Sequence, residues 1–136
     1  MIDKSKRVSK ERLALIQLSD AVDLLNRGNY ISAITLAGAA EEILGRLCKI
    51  KKAPNALEIE FFLNSKTLKD DSYRMKRNLI RNELKHIGEK ESFSIAELEK
   101  SAYLHISAAI INYKLLKNKL PNSLVIREYC KTRGLS

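Results

Sequence analysis

Residues 30–49 read YISAITLAGAAEEILGRLCK and contain the pattern that decides the predicted fold. Apolar residues recur there at helical spacing, and most of them are small: Ala33, Ala37, Ala40, Leu44 and Leu47. Small side chains allow a neighbouring helix to approach closely, as helices do in a bundle. We therefore expect residues 30–49 to form the central helix of a helical bundle.

The rest of the chain shows the same helical period, and no segment of any length alternates as a strand does. Ser94 and Glu97 give the clearest start signal, because they form a capping-box pair at the first turn of a helix. The other predicted helices cover residues 9–27, a short piece at 56–63, a third helix from 71 or 72 to 87, 94–119 and 123–131. The predicted fold class is all-α, an up-and-down four-helix bundle with a short C-terminal helical extension.

Length and composition limit the class of protein. At 136 residues, the chain is predicted to be a single domain over residues 1–136, with its core at about residues 9–118. Lysine and arginine total 25 against 16 acidic residues, and the formal net charge of +9 favours a polyanionic partner. The apolar runs are too short for a membrane span, and we expect no secretory signal. Cys48 and Cys130 are expected to be reduced thiols, which predicts a cytoplasmic protein.

The predicted third helix has a ridge of basic residues between two apolar faces. Its sequence over residues 74–86 is RMKRNLIRNELKH. At about 100° per residue, the first face is Tyr73, Ile80, Leu84 and Ile87, the second is Met75, Leu79, Asn82 and His86, and the ridge is Arg74, Arg77, Arg81 and Lys85. A helix with two apolar faces needs two packing partners. We expect one partner to be its own bundle and the other to be a second copy of the chain in a twofold dimer.

Residues 81–86, Arg-Asn-Glu-Leu-Lys-His, resemble the signature of the HEPN superfamily, in which four residues separate an arginine from a histidine. The segment at residues 32–45 is similar to the second helix of that superfamily, and the resemblance covers about residues 9–118. It implies an all-helical homodimer that is a metal-independent endoribonuclease, often a toxin or phage-defence component restrained by an antitoxin protein. It also implies that Arg81 and His86 are the catalytic pair, supported by Asn82, at the cleft between two third helices.

Arg81 and His86 also suit RNA cleavage on chemical grounds, because the RNA 2′-hydroxyl is an internal nucleophile. Histidine, with an unperturbed pKa of about 6.5, is suited to proton transfer. Arginine donates two hydrogen bonds from a planar fork to phosphate oxygens and stabilises a phosphorane. We assign His86 as general base or acid, Arg81 as phosphate clamp, and Asn82 as a support for the imidazole or the phosphate. The residues expected to contact neighbouring phosphates of the RNA are Arg74, Arg77 and Lys85.

The spacing of Arg81 and His86 limits how the two can meet. Five residues correspond to about 140° around a regular helix, so the two side chains do not share a face. Either the helix loosens near His86, or the site combines Arg81 of one chain with His86 of the other. Glu41 lies at the edge of the apolar stripe of the central helix, where a half-buried carboxylate usually has a basic partner. We expect that partner to be Arg81 or His86, with Glu41 orienting the catalytic pair.

Simpler interpretations of these residues stay open. Arg81 can be an ordinary basic residue of the surface, and His86 can be a histidine that simply stands at a helix end. Asn82 can be simple surface polarity, and Glu41 can form an ion pair that only steadies the bundle. His105 lies within an apolar stripe and is expected to be a core histidine bonded to a neighbour. The alternative functions are a non-catalytic RNA- or nucleotide-binding dimer of HEPN type and a helical protein-interaction adaptor.

Other enzyme classes find no support in the motifs. The sequence has no glycine-rich phosphate loop and no Gly-x-Ser-x-Gly elbow. Its one Glu-x-x-His motif, at residues 83–86, lacks the second copy that a di-iron bundle needs, and two histidines so far apart in sequence do not favour a zinc site. Neither a metal nor a cofactor is predicted.

Overall fold

The described residues fold into helices and turns. The computed structural model describes residues 2–63, 75, 77–85 and 92–135, with residues 61–63 and 85 as backbone only. The helices are α1 (Lys10–Asn26), α2 (Tyr30–Ile50), α3 (Ala56–Leu63), α4 (Leu79–Lys85), α5 (Ile95–Lys117) and α6 (Leu124–Arg133). Strands are absent from these residues, which confirms the predicted all-α class. None of the helices described is long and apolar enough to cross a membrane.

Local side-chain signals set the helix ends. The Ser9 side chain accepts a backbone hydrogen bond in the first turn of α1, at 3.1 Å. The predicted capping box is present, because the Glu97 amide donates to Ser94 Oγ at 3.1 Å and the Ser94 amide donates to Glu97 Oε2 at 2.8 Å. Helix α5 ends at Lys117, two residues before the predicted end, because Asn118 adopts a left-handed conformation with φ of 58°.

Helix α2 is the central helix, as the stripe of small residues predicts. It has extensive contacts with both α1 and α5, and it also contacts α4. Its buried apolar residues include Ala33, Ile34, Ala37, Ala40 and Leu44. They belong to one buried cluster with side chains of α1 and α5, among them Leu18, Val22, Ile106 and Ile110. The alanines of α2 therefore allow the close helix packing that the sequence indicates.

Helix α6 completes the core rather than extending beyond it. Ile126, Tyr129 and Cys130 are buried in the same cluster as the side chains of α1 and α5. At the start of α6, the Ser123 hydroxyl is 3.1 Å from the Ser19 hydroxyl of α1. The buried cluster therefore extends beyond residue 118, because this ten-residue helix supplies a further apolar face.

Helix α4 lies within the predicted third helix and separates two apolar faces. Ile80 and Leu84 are partly buried and pack against the core. Leu79 is 37% exposed and Met75, just before α4, is 66% exposed, while Asn82 is exposed as well. The predicted ends of this helix, at residues 71–72 and 87, lie outside the described residues. One apolar face therefore packs against the core, and the described structure leaves the other exposed.

Candidate functional site

Glu41 of α2 is at the centre of a buried polar cluster, and only 7% of its side chain is exposed. Its Oε1 and Oε2 accept hydrogen bonds from Nη1 and Nη2 of Arg77 at 3.1 and 3.0 Å. Nδ1 of His105, which is fully buried in α5, is 3.2 Å from Oε1 of the same carboxylate. The prediction of a core histidine bonded to a neighbour is therefore confirmed for His105.

Arg77 is held by two carboxylates and is not exposed to solvent. Its Nε donates to the Glu60 carboxylate of α3 at 2.8 and 3.0 Å, and its Nη1 donates to Asn78 Oδ1 at 2.8 Å. Only 4% of the side chain is exposed. Glu41 and Glu60 already bind its guanidinium, so its burial does not favour an RNA-phosphate contact, and the RNA-binding role of Arg77 stays a prediction.

Buried asparagines connect the same helices through the backbone. Asn112 of α5 donates from Nδ2 to the Glu41 carbonyl at 3.0 Å, and its Oδ1 accepts from the Ala56 amide at 2.6 Å. Asn55 accepts from the Glu58 amide at 2.9 Å, in the first turn of α3. Since buried amide groups need hydrogen-bond partners, these bonds fix α2, α3 and α5 around the Glu41 carboxylate.

The cluster stabilises the ionised form of Glu41. Burial opposes ionisation, but the hydrogen bonds and charges of His105 and Arg77 outweigh it and lower the pKa of Glu41 to about 2. Burial likewise opposes the charged form of Arg77, whereas hydrogen bonds and charge from Glu41 and Glu60 raise the pKa of Arg77 above its ordinary value. Glu41 and Arg77 are therefore a charged, hydrogen-bonded ion pair at neutral pH.

Arg81 of α4 lies against α2 beside this cluster. A Cβ atom on Gly38 would overlap Cδ of Arg81 and lie 3.1 Å from its Cγ, so the Arg81 side chain rests directly on the α2 backbone. Its Nη1 is 3.8 Å from Oε1 of Glu41, which is within ion-pair range but beyond a hydrogen bond. The Arg81 side chain is 14% exposed, and its buried Nε has no hydrogen-bond partner among the described residues. Arg81 therefore lies at the edge of the cluster, with part of its side chain exposed to solvent.

Glu41 has more basic partners in the structure than its sequence pattern predicts. Arg81, one of the two expected partners, lies within ion-pair distance, but Arg77 and His105 are closer. One signal for the His105 contact was present in the sequence, since two titratable residues in the apolar stripes of two long helices both need buried partners. That Glu41 orients a catalytic pair stays a prediction.

The other predicted site residues are only partly described. Asn82 is exposed on α4. His86 and Arg74 lie outside the described residues, and so does the side chain of Lys85. The described structure therefore brings Arg81 and Glu41 together, and the catalytic and RNA-binding roles of the others stay predictions.

Comparisons with protein-family models, with curated proteins and with solved structures give no match to this chain. Within the part of the chain that the structure describes, no group of three His, Cys, Asp or Glu side chains is placed to hold a metal ion. The candidate site is thus defined by its own geometry, a buried ion-pair cluster around Glu41 with Arg81 at its edge.

Proposed function

We propose that the chain is a metal-independent endoribonuclease of HEPN type, an up-and-down four-helix bundle that acts as a homodimer in the cytoplasm. Arg81 and His86 are its catalytic pair, and Asn82 supports them. The placement of Arg81 is the observation that carries the proposal, because its side chain is seated on α2 at the edge of the buried cluster and is still 14% exposed.

A catalytic arginine for RNA cleavage has to be fixed in place and still able to bind a phosphate. Arg81 is fixed because its aliphatic part lies on Gly38 and its Nη1 is 3.8 Å from Glu41. A phosphate can reach it because 14% of its side chain is exposed and the short hydrogen bonds to Glu41 come from Arg77 and His105 instead. A guanidinium that a phosphate can reach can bind two of its oxygens and stabilise the charge that develops on them.

The proposed reaction is an intramolecular transesterification, in which the 2′-oxygen of the RNA replaces the 5′-oxygen on the phosphorus. His86 takes the proton from the 2′-hydroxyl, the 2′-oxygen attacks the phosphorus, and the bond between phosphorus and the 5′-oxygen breaks. The leaving 5′-oxygen takes up a proton from water, and His86 returns its own proton to the solvent, so the products are a 2′,3′-cyclic phosphate and a 5′-hydroxyl. Arg81 binds the non-bridging oxygens, whose negative charge is greatest in the pentacoordinate transition state.

The exposed apolar face of α4 supports the homodimer. Leu79 and Met75 are apolar side chains that the core does not cover, and a second copy of the chain would bury them. Such a dimer lets Arg81 of one chain meet His86 of the other, which accommodates the angle of about 140° between them on one helix. The proposed RNA contacts along the same dimer seam are Arg74 and Lys85.

The direct test is cleavage of a labelled RNA by the purified protein in excess EDTA, with analysis of the product ends. His86→Ala should lower the cleavage rate by roughly 10²–10⁴-fold, and Arg81→Ala by about 10²–10³-fold. The matched control is Arg46→Ala, which removes an exposed arginine of α2 and should leave cleavage unchanged. A 2′-deoxy substitution at the cut should block the reaction. Full activity of His86→Ala would refute the assignment.

A mixing experiment tests whether two chains share the site. Arg81→Ala and His86→Ala proteins should each be inactive, but their heterodimer contains one intact pair if the two residues come from different chains. An equal mixture should recover roughly a quarter of full activity, since half of its dimers are mixed and each has one of two sites. Leu79→Asp should prevent both dimerisation and recovery. Absence of recovery from variants that still dimerise would place each site within one chain.

Two results of the RNA assays would assign a different function. RNA that is bound with a steep salt dependence but not cut would indicate a non-catalytic RNA- or nucleotide-binding dimer of HEPN type. Absence of RNA binding would leave a helical protein-interaction adaptor. For the proposed role as a toxin or phage-defence component, expression should arrest growth of the host unless His86 is replaced by alanine, and an antitoxin protein should relieve the arrest.

A further inference from the structure

We propose that Gly38 is a positioning residue for Arg81, because the missing side chain at Gly38 lets the arginine lie against the backbone of α2. This inference rests on the proposed function, since it gives Gly38 a role in orienting the phosphate clamp. The first observation is packing: apart from the neighbouring residues and backbone of α2 itself, the atoms nearest to a Cβ built on Gly38 are Cδ, Cγ and Nε of Arg81, the first of them in overlap.

Two residues of α2, Gly38 and Glu41, form the seat that holds Arg81. Gly38 and Glu41 are three residues apart on α2 and so lie on the same side of the helix. The aliphatic part of Arg81 lies on Gly38, and its Nη1 is 3.8 Å from the Glu41 carboxylate. A side chain held at its middle and at its end has little freedom to turn, and such freedom would lower the rate of a reaction that needs an oriented cation.

The choice of glycine at this position has no other explanation in the described contacts. Glycine in a helix interior is less favourable than alanine, and the residues around Gly38 are alanines (Ala37, Ala39 and Ala40). Gly45 lies two turns further along the same helix. A Cβ there would be 3.3 Å from Nδ2 of Asn112, a close contact without the overlap found at Gly38. Gly45 therefore provides a matched control.

The first experiment compares RNA cleavage by Gly38→Ala and Gly45→Ala. Gly38→Ala should lower the rate at saturating RNA by about a hundredfold, the effect expected when a catalytic group is displaced by about 1 Å. Its KM should change little, because most phosphate contacts are made elsewhere. Gly45→Ala should keep most of the activity. Equal loss in both variants, or a loss confined to KM, would overturn the positioning role.

The second experiment measures thermal unfolding in a double-mutant cycle of Gly38→Ala and Arg81→Ala. In the otherwise unchanged protein, Gly38→Ala should lower the Tm because Arg81 has to move. In the Arg81→Ala background the same change should raise the Tm by about 3 °C, since alanine favours the helix once space is free. If Gly38→Ala changed the Tm equally in the unchanged protein and in Arg81→Ala, the proposed packing of Arg81 on Gly38 would be refuted. If the unchanged protein does not cleave RNA, the proposed function and the catalytic role of Gly38 both fail, whereas the cycle still reports on the contact.

Discussion

Replacing Glu41 by glutamine should destabilise the protein strongly at neutral pH and much less in acid. The change keeps the size of the side chain but removes the negative charge that faces Arg77 and His105. Arg77 is 4% exposed, so water cannot solvate its charge, and Glu60 becomes its remaining carboxylate partner among the described residues. Removing one member of a buried ion pair costs about 3–5 kcal/mol, because the other charge is left buried.

The pKa of Glu41 leads to a free energy of the same size. One pKa unit corresponds to about 1.36 kcal/mol, so the lowering from 4.5 to about 2 amounts to about 3 kcal/mol. The pKa of this carboxyl is lower in the folded state than in the unfolded state. Its stabilisation is therefore present above about pH 4.5 and is lost as the pH falls towards 2, with roughly half remaining at pH 3.

Urea titrations of the unchanged protein and of Glu41→Gln between pH 7 and pH 3 measure the free energy of unfolding. The matched control is Glu42→Gln, because Glu42 is the neighbouring residue and its ion pair with Arg46 is exposed. That control should change stability by at most about 0.5 kcal/mol. A decrease of less than about 1 kcal/mol in the free energy of unfolding of Glu41→Gln at pH 7 would refute the buried ion pair. The ion pair would also be refuted if the difference in free energy of unfolding between Glu41→Gln and the unchanged protein stayed the same from pH 7 to pH 3.

Three further predictions concern the fold and the RNA surface. Asn112→Ala should lower the free energy of unfolding, measured in urea, by about 2–3 kcal/mol, because two buried backbone groups lose their partner. A decrease of less than about 0.5 kcal/mol would contradict this prediction. Ser94→Ala should cost about 1 kcal/mol in thermal unfolding through the lost cap, whereas the exposed Ser92→Ala should have no effect. Arg77→Gln, measured at a temperature at which the variant is folded, should leave the salt dependence of RNA binding unchanged. A decrease of about 0.9 in the slope of log binding constant against log salt concentration would instead show a phosphate contact.

Much of the fold follows from chemistry within a single turn, and the sequence predicts that part well. Ser94 and Glu97 bond each other across three residues, so the start of α5 depends on no distant contact. Ser9 begins α1 in the same way. The predicted piece at residues 56–63 coincides with α3. The small residues of α2 also indicate its central position, because their spacing alone defines the face that other helices approach.

The polar cluster depends on segments far apart in the chain, and the sequence predicts it only in part. Helical periodicity places Arg77 and Arg81 on one basic ridge. In the folded chain, Glu60 and Glu41, 17 and 36 positions from Arg77, bind its guanidinium. A count of charges cannot decide whether a carboxylate or an RNA phosphate will be the partner of an arginine. Burial of Glu41 indicates that basic partners exist, but the packing of α2 against its neighbours selects them.

The docking of α6 has a consequence for synthesis of the protein on the ribosome. Ser19 of α1 meets Ser123 at the start of α6, 104 positions later, and the residues that close the core over α1 come later still. At typical rates of translation, the nascent chain waits roughly 5–20 s between making these two serines. During that time α1 packs against α2 without the side chains of α6, so the packing around α1 is completed only after α6 has been made.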